Sequence, residues 1–175
     1  MVMKISIIIP AYNEEKRIGK TLATYLSYFD KKSITEDLDY EILVVINNTT
    51  DKTEEVVRKH QSVNGRLRFL NIPERGKGNA VIEGFRDALS RDNDLIGFSD
   101  ADMATPPEAF YSLVENIKNN DGVIAGRYLR GSTLIPAITF RRAVVAKVFN
   151  FYVRTMFFIP FGDTQCGAKL FTKRA

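Results

Sequence analysis

The chain is poor in the side chains that most often build a reactive or metal-binding centre. Of its 175 residues one is cysteine, Cys166, and one is histidine, His60. A single thiol excludes an internal disulfide framework and a cysteine cage for zinc, and a lone imidazole excludes any site that needs two histidines. With no histidine near it in sequence, Cys166 reads as a small core residue and not as an activated nucleophile. His60 reads as a solvated residue near a helix end. There is no internal repeat and no low-complexity tract. No apolar run is long enough to cross a membrane: residues 134–161 are greasy but are interrupted by Arg141, Arg142, Lys147 and Arg154, whereas a spanning helix needs roughly 20 mostly apolar residues. The N-terminal apolar run stops at Pro10, short of a secretory leader. These absences lead us to expect a cytoplasmic location.

What is present describes one globular domain. Apolar residues make up 45% of the chain and the formal net charge is +4. So mild a basic excess makes no case for nucleic acid, but it suits a protein that handles phosphates or rests on an anionic membrane surface. Residues 5–10, 41–46, 67–72 and 95–99 are short β-rich runs that read as buried strands, with a fifth near Val123–Gly126. Between them, Ile18, Leu22, Tyr25, Leu26 and Phe29 trace one helical face, and Phe110, Leu113, Val114 and Ile117 another, with Pro106 or Pro107 at its start. Residues 53–60 and 79–89 supply two further helices, while the polar stretch 30–39 reads as a loop. This alternation predicts an α/β fold, a mostly parallel central sheet flanked by helices on both faces.

Ligands of such sheets bind beyond the carboxyl ends of the strands. There the sequence places Pro10-Ala11-Tyr12-Asn13-Glu14, Asn47-Asn48-Thr49-Thr50-Asp51, Arg75-Gly76-Lys77-Gly78-Asn79 and Asp100-Ala101-Asp102. Two carboxylates flanking one residue can hold a divalent cation, and that cation can neutralise a diphosphate. Three such pairs occur, Asp37/Asp39, Asp92/Asp94 and Asp100/Asp102. Only the third directly follows an apolar strand at the ligand edge; the other two read as solvated loop charges. The glycines around Lys77 permit close backbone approach at a helix start, where an anion is favoured. The pattern matches neither the GxxxxGK[ST] phosphate loop nor the GxGxxG dinucleotide fingerprint, so a plain strand-to-helix turn stands beside a phosphate site as its reading. Arg127, Arg141 and Arg142 offer planar forks for phosphate oxygens, although surface arginines more often solvate a helix.

Taken together, these segments resemble the family-2 glycosyltransferases of the GT-A (Rossmann-like) fold. The segments Pro10–Glu14 and Val44–Asp51 look like that family's nucleotide motifs, and Asp100-Ala101-Asp102 like its metal motif. Gly76-Lys77-Gly78-Asn79-Ala80-Val81, Asp100–Thr105 and Asp163-Thr164-Gln165-Cys166-Gly167 with Lys169-Leu170-Phe171 are similar to dolichyl-phosphate glucosyltransferases. Gly126-Arg127-Tyr128 with Arg141-Arg142 is shared with the dolichyl-phosphate mannose synthases. The resemblance covers the chain in order and implies a single inverting glycosyltransferase catalytic domain over residues 1–175, lacking a C-terminal portion that the family carries. It implies a nucleotide-sugar donor, a polyprenyl phosphate acceptor, Mg2+ or Mn2+ on Asp100 and Asp102, and a place on the cytosolic face of a membrane. Pro10, Tyr12, Glu14, Asn47, Asp51, Lys77 and Asp100 would bind the nucleotide. Arg127, Arg141 and Arg142 would hold the acceptor phosphate, and Asp163 would orient a sugar hydroxyl or the acceptor, or act as base toward an alcohol acceptor.

The chain departs from the family pattern at three positions. Asn47 stands where the family usually has aspartate, Ala104 where mannose synthases carry glutamine, and Ala168 where the glucosyltransferases carry phenylalanine. Because the nearest motif matches are to the glucosyltransferases, UDP-glucose is the expected donor, with GDP-mannose or a soluble saccharide acceptor as alternatives. A nucleotidyltransferase lacks support because no glycine-rich loop follows the first strand. A non-catalytic sugar-nucleotide-binding domain is the reading from a different class.

Overall fold

Strands β1 (Met3–Ala11) and β2 (Leu38–Asn47) lie at the centre of the sheet and are buried on both faces, which is why their sequences are continuous apolar runs instead of alternating ones. The computed structural model describes residues 2–126, 140–158, 163 and 166–175, apart from the side chains of residues 140–144, 146 and 147. Within those residues the order is β1, α1 (Ile18–Thr35), β2, α2 (Thr53–Gln61), β3 (Leu67–Ile72), α3 (Lys77–Leu89), β4 (Leu95–Phe98), α4 (Pro107–Ile117), β5 (Gly122–Ile124), α5 (Phe140–Phe157) and β6 (Lys169–Thr172). The sheet runs β3-β2-β1-β4-β6-β5. The first four strands in that row are parallel, and β6 is antiparallel to both β4 and β5.

The expected α/β architecture is thus present, with three corrections. The stretch read as a loop over 30–39 is mostly helix: α1 continues to Thr35, and Lys32 pairs with Glu36 at 2.6 Å, one turn on. Polar residues there clothe an exposed helical end, and a lysine in the last turn suits the helix dipole. The second correction is β6, a strand in which only Leu170 and Phe171 are apolar and which pairs antiparallel with β4. The third is His60, which is half-buried: its Nδ1–H donates to the Val56 carbonyl at 2.9 Å.

Two apolar cores sandwich the sheet. The larger gathers Ile5, Ile7 and Ile9 with Ile18, Leu22, Tyr25 and Phe29 of α1, Val57 of α2, and Phe110 and Val114 of α4. The smaller sets Ile8, Leu43, Val45 and Ile96 against Ala80 and Ala88 of α3. Alternate β1 side chains therefore feed opposite cores. At the amino-terminal ends of the strands the charges close on one another: Lys4 pairs with Asp92 at 2.6 Å, Arg68 with Asp87 at 2.7 Å, and Arg68 and Arg91 both with Glu41 at 3.3 Å. The Asp92/Asp94 pair is engaged here, Asp94 accepting the Lys4 backbone N–H at 2.8 Å. A hollow of about 510 Å³ lies among these charges, and another lies at the opposite, carboxyl end, where the expected residues gather.

Candidate active site

A cavity of about 540 Å³ opens there, within the usual size of small-molecule sites. Pro10, Tyr12, Glu14, Asn47, Lys77, Asp100 and Asp102 all line it, together with Arg75, Gly76 and Ala101. Four strand ends, far apart in sequence, thus deliver seven of the expected residues to one hollow.

Each wall has a local cause. Gly76 caps α3 with φ of 111°, a conformation that a residue with a Cβ rarely adopts. It turns the chain so that the amino end of α3 meets the cavity, with the partial positive charge of its unpaired N–H groups. Lys77, the first helical residue, pairs through Nζ with Asp100 Oδ1. Half-exposed as Lys77 is, that pair adds little stability; its value is to set an ammonium beside a carboxylate at the strand edge. Asn47 is buried, and with its amide oriented so that donor meets acceptor it bridges two walls: the N–H then donates to the Ala11 carbonyl at 2.8 Å and the oxygen accepts from Gly76 N–H at 3.3 Å.

Asp51 takes a different place from the one expected. It is not among the residues lining the cavity. Its Oδ1 accepts from the Thr49 hydroxyl at 2.9 Å and from Thr53 N–H at 3.0 Å, and its Oδ2 from Glu15 N–H at 3.1 Å. Burial acts to raise its pKa, but these donors prevail and hold it below the ordinary aspartate value. Asp51 thereby ties the loop after β2 to the loop after β1. Asn13 completes the tie, its side-chain oxygen accepting from Thr50 N–H at 2.9 Å.

The loop carrying the two aspartates is pinned from α1. Thr21 Oγ1 donates to the Ala101 carbonyl at 2.7 Å, and the Tyr25 hydroxyl donates to the Thr105 carbonyl at 2.7 Å while meeting Ser99 Oγ at 2.8 Å. Burial raises the Tyr25 pKa far above the ordinary phenol value, so this hydroxyl stays a donor. Between those pins Met103 sits at φ 61°, left-handed backbone that a non-glycine residue holds only when its surroundings impose it. Asp102 accepts the Ala104 N–H through Oδ1 at 3.0 Å, which orients its carboxylate at the cavity wall. Neither Thr21 nor Tyr25 was legible as a site residue, since helical spacing marks both only as inward-facing.

The return segment closes the far side of Asp100. A Cβ at Gly167 would lie 2.7 Å from Asp100 Cγ and closer still to Oδ2, so only glycine leaves that carboxylate its position. Asp163 is buried nearby in the chain. Lys169, on β6, is half-buried, and desolvation draws its pKa down. Arg127 lies outside the described residues, as do the side chains of Arg141 and Arg142, whose backbone belongs to the first turn of α5.

Chemically, the hollow offers two carboxylates, one ammonium and a helix amino end. Among the described residues no group of three or more His, Cys, Asp or Glu side chains could hold a metal. A divalent ion on Asp100 and Asp102 would therefore complete its shell from ligand oxygens and water, the usual arrangement for Mg2+ beside a phosphate. The residues fit such an ion, since hard oxygen donors and a pocket that accepts an anion meet at the same edge.

The fold and this edge define an α/β domain whose cavity joins two carboxylates, an ammonium and a helix amino end, and comparison with known proteins narrows the class. The Glycosyl transferase family 2 profile matches residues 6–175. A dolichyl-phosphate beta-glucosyltransferase of Drosophila melanogaster is 34% identical over 182 residues, covering 98% of this chain and 55% of that protein. A dolichol-phosphate mannosyltransferase of Pyrococcus furiosus is 34% identical over 130 residues, covering 74% of this chain and 34% of the other. Among solved structures, glucosyl-3-phosphoglycerate synthase of Mycobacterium tuberculosis, in complex with Mn2+, UDP and phosphoglyceric acid, superimposes with a TM-score of 0.64. It is 19% identical, and the match covers 98% of this chain and 56% of that one. The chain belongs to glycosyl transferase family 2 and has the GT-A fold. It spans about half the length of the curated relatives it matches.

Proposed function

We propose that this domain catalyses inverting transfer of glucose from UDP-glucose to a polyprenyl, dolichyl-type phosphate with the help of Mg2+ or Mn2+. The observation that carries the reading is the convergence of Asp100, Asp102, Lys77 and the amino end of α3 on one cavity. The similarity to dolichyl-phosphate glucosyltransferases over nearly the whole chain directs it to this donor and acceptor. Asp100 and Asp102 would hold the divalent ion, which when bound neutralises charge on the departing diphosphate.

The remaining steps fall to the chain's own groups. Lys77 Nζ and the N–H groups at the start of α3 hold the diphosphate oxygens, and they stabilise the charge that grows there as the anomeric bond breaks. Tyr12 and Pro10 offer a face to the nucleobase, and Asn47 fixes the wall behind it. Glu14 is held by a bidentate pair with Arg17 at 2.7 Å, which keeps the opening loop rigid beside the donor. The acceptor needs little activation: a phosphate monoester has a second pKa near about 6 and is already an anion at neutral pH. Asp163 orients that acceptor, and Arg127, Arg141 and Arg142 clamp its phosphate. Attack from the face opposite the leaving group inverts the anomeric centre.

The lipid side of the reading is supported by α5. Val145, Val148, Phe149, Tyr152 and Met156 recur at i, i+3, i+4, i+7 and i+11 and are all exposed, between 48% and 68%. Phe151 and Phe157, on other faces of the helix, are exposed as well, at 72% and 65%. So extended an exposed apolar surface suits contact with lipid, here at the cytosolic face of a membrane. Among the described residues no helix is long and apolar enough to cross a membrane.

A direct test measures thermal stabilisation by UDP-glucose and by GDP-mannose with and without manganese, then transfer of radiolabelled sugar to phytanyl phosphate. Manganese-dependent stabilisation by UDP-glucose and a β-linked lipid product support the proposal. Stabilisation by GDP-mannose alone would replace the donor, and hydrolysis without lipid product would replace the acceptor.

A further inference from the structure

Lys169 is a cation held at some cost in a place where the steps above give it no task. It stands on β6, directly opposite Phe98 in the antiparallel register. Its Nζ lies 5.2 Å from the Phe98 ring centroid, and the Lys77 Nζ lies 6.0 Å from the same ring. Among the described residues no carboxylate is within ion-pair distance of it, and Asp100 is already paired with Lys77. Burial pulls its pKa below the ordinary lysine value and the neighbouring Lys77 adds to that, with Cys166, Asp100 and Asp163 acting in the other direction. A half-buried ammonium without a close counter-ion is unfavourable in the isolated protein, and the aromatic ring beneath it offsets only part of the cost. An anion from outside would supply the missing partner.

The sheet order decides which anion. The donor cavity lies over the ends of β1, β2 and β4, and its lining includes Lys77 but not Lys169. β6 is on the other side of β4 from β1, so Lys169 flanks Asp100 from the side away from the nucleotide. Asp163, the residue that would orient the acceptor, is among the groups that act on it electrostatically.

We infer that Lys169 binds the phosphate of the acceptor, forming with Phe98 an anion subsite on the flank of Asp100 opposite the donor. The inference rests on the proposed transfer to a lipid phosphate and names a group that this transfer uses. The ammonium meets the incoming phosphate monoester, and the two charges compensate each other where water is partly excluded. Lys77 and Lys169 thus divide the two phosphates of the reaction between them, one for the group that leaves and one for the group that attacks.

The test is Lys169→Met, which keeps the length and apolar packing of the stem, alongside Lys169→Arg. Charge-assisted contacts of this kind are worth about ten- to a hundredfold in affinity. Lys169→Met should raise the KM for phytanyl phosphate by that factor, leave the KM for UDP-glucose and the manganese response unchanged, and leave Tm equal or higher. Lys169→Arg should recover much of the acceptor affinity. A fall in Tm with acceptor KM unaltered makes Lys169 a structural residue, and a rise in donor KM alone moves it to the diphosphate; either result overturns the inference. If wild-type protein makes no lipid product, the proposed acceptor fails and the subsite falls with it. Normal wild-type transfer with an unaffected Lys169→Met variant removes the subsite alone.

Discussion

Gly167→Ala is the sharpest single-atom perturbation of the site. The added Cβ would stand 2.7 Å from Asp100 Cγ, well inside van der Waals contact, so the carboxylate must turn. The Asp100 side chain is 28% exposed and has room to yield, so the fold itself should lose only the lower part of the roughly 1–3 kcal/mol typical of overpacking. A rotation of about 30° off its rotamer costs about 0.5–1.5 kcal/mol. The catalytic loss is larger, because a displacement near 1 Å at a reacting centre costs about a hundredfold. Initial rates of glucose transfer across a manganese titration, paired with urea unfolding of the same preparation, separate the two effects. We expect a rate reduced by about two orders of magnitude, a raised manganese half-saturation and a nearly unchanged unfolding midpoint. A folded Gly167→Ala protein with wild-type rate and wild-type manganese response would refute the placement of Asp100 in the metal site.

Asp102→Ala should abolish manganese-dependent stabilisation by UDP in a thermal-shift assay while the melting curve without ligand stays close to wild type, since Asp102 lies at a cavity wall and not in the core. Tyr25→Phe removes a donor to the Thr105 carbonyl and the partner of Ser99; urea unfolding should report a loss of about 1–3 kcal/mol, the cost of leaving buried polar groups unpaired, and manganese should bind more weakly as the aspartate loop loosens. Acid titration should expose Asp51: its folded pKa is lowered from 3.8, so its contribution to stability is fully present above the unfolded value and is lost as pH falls through the folded one. The stability difference between wild type and Asp51→Asn should therefore shrink steadily below about pH 4, as urea midpoints measured across that range would show.

Much of this arrangement was legible because burial leaves a strong trace. β1 and β2 are apolar on both faces, and such runs followed by polar clusters mark the ligand edge before any coordinates are known. Asp100 and Asp102 stood out because an acidic pair directly after a buried strand has few structural uses. What stayed hidden was direction and distance. Asp51 is a polar residue at the right edge, yet its carboxylate turns toward Thr49, Thr53 and Glu15, and composition carries no sign of which way a side chain points. Tyr25 shows the converse, being periodic like a core residue while its hydroxyl holds the aspartate loop. β6 escaped because only Leu170 and Phe171 of its four residues are apolar, and its pairing depends on β4, which lies far away in the chain.

That late strand has a consequence for how the enzyme comes into being. Synthesis proceeds from the amino end, so β1 to β4 can pair while the outer edge of β4, residues Leu95–Phe98, still has no neighbour. β5 does not fill the gap, because among the described residues of the finished sheet it pairs with β6 and not with β4. A nascent chain halted before residue 169 thus carries an apolar parallel sheet open at β4 as well as at β3, and the second edge is the kind of surface that recruits foreign strands. The same four residues that seal this edge bring Gly167 against Asp100. Ribosomal stalling before β6 would then leave the sheet edge and the flank of Asp100 unfinished together.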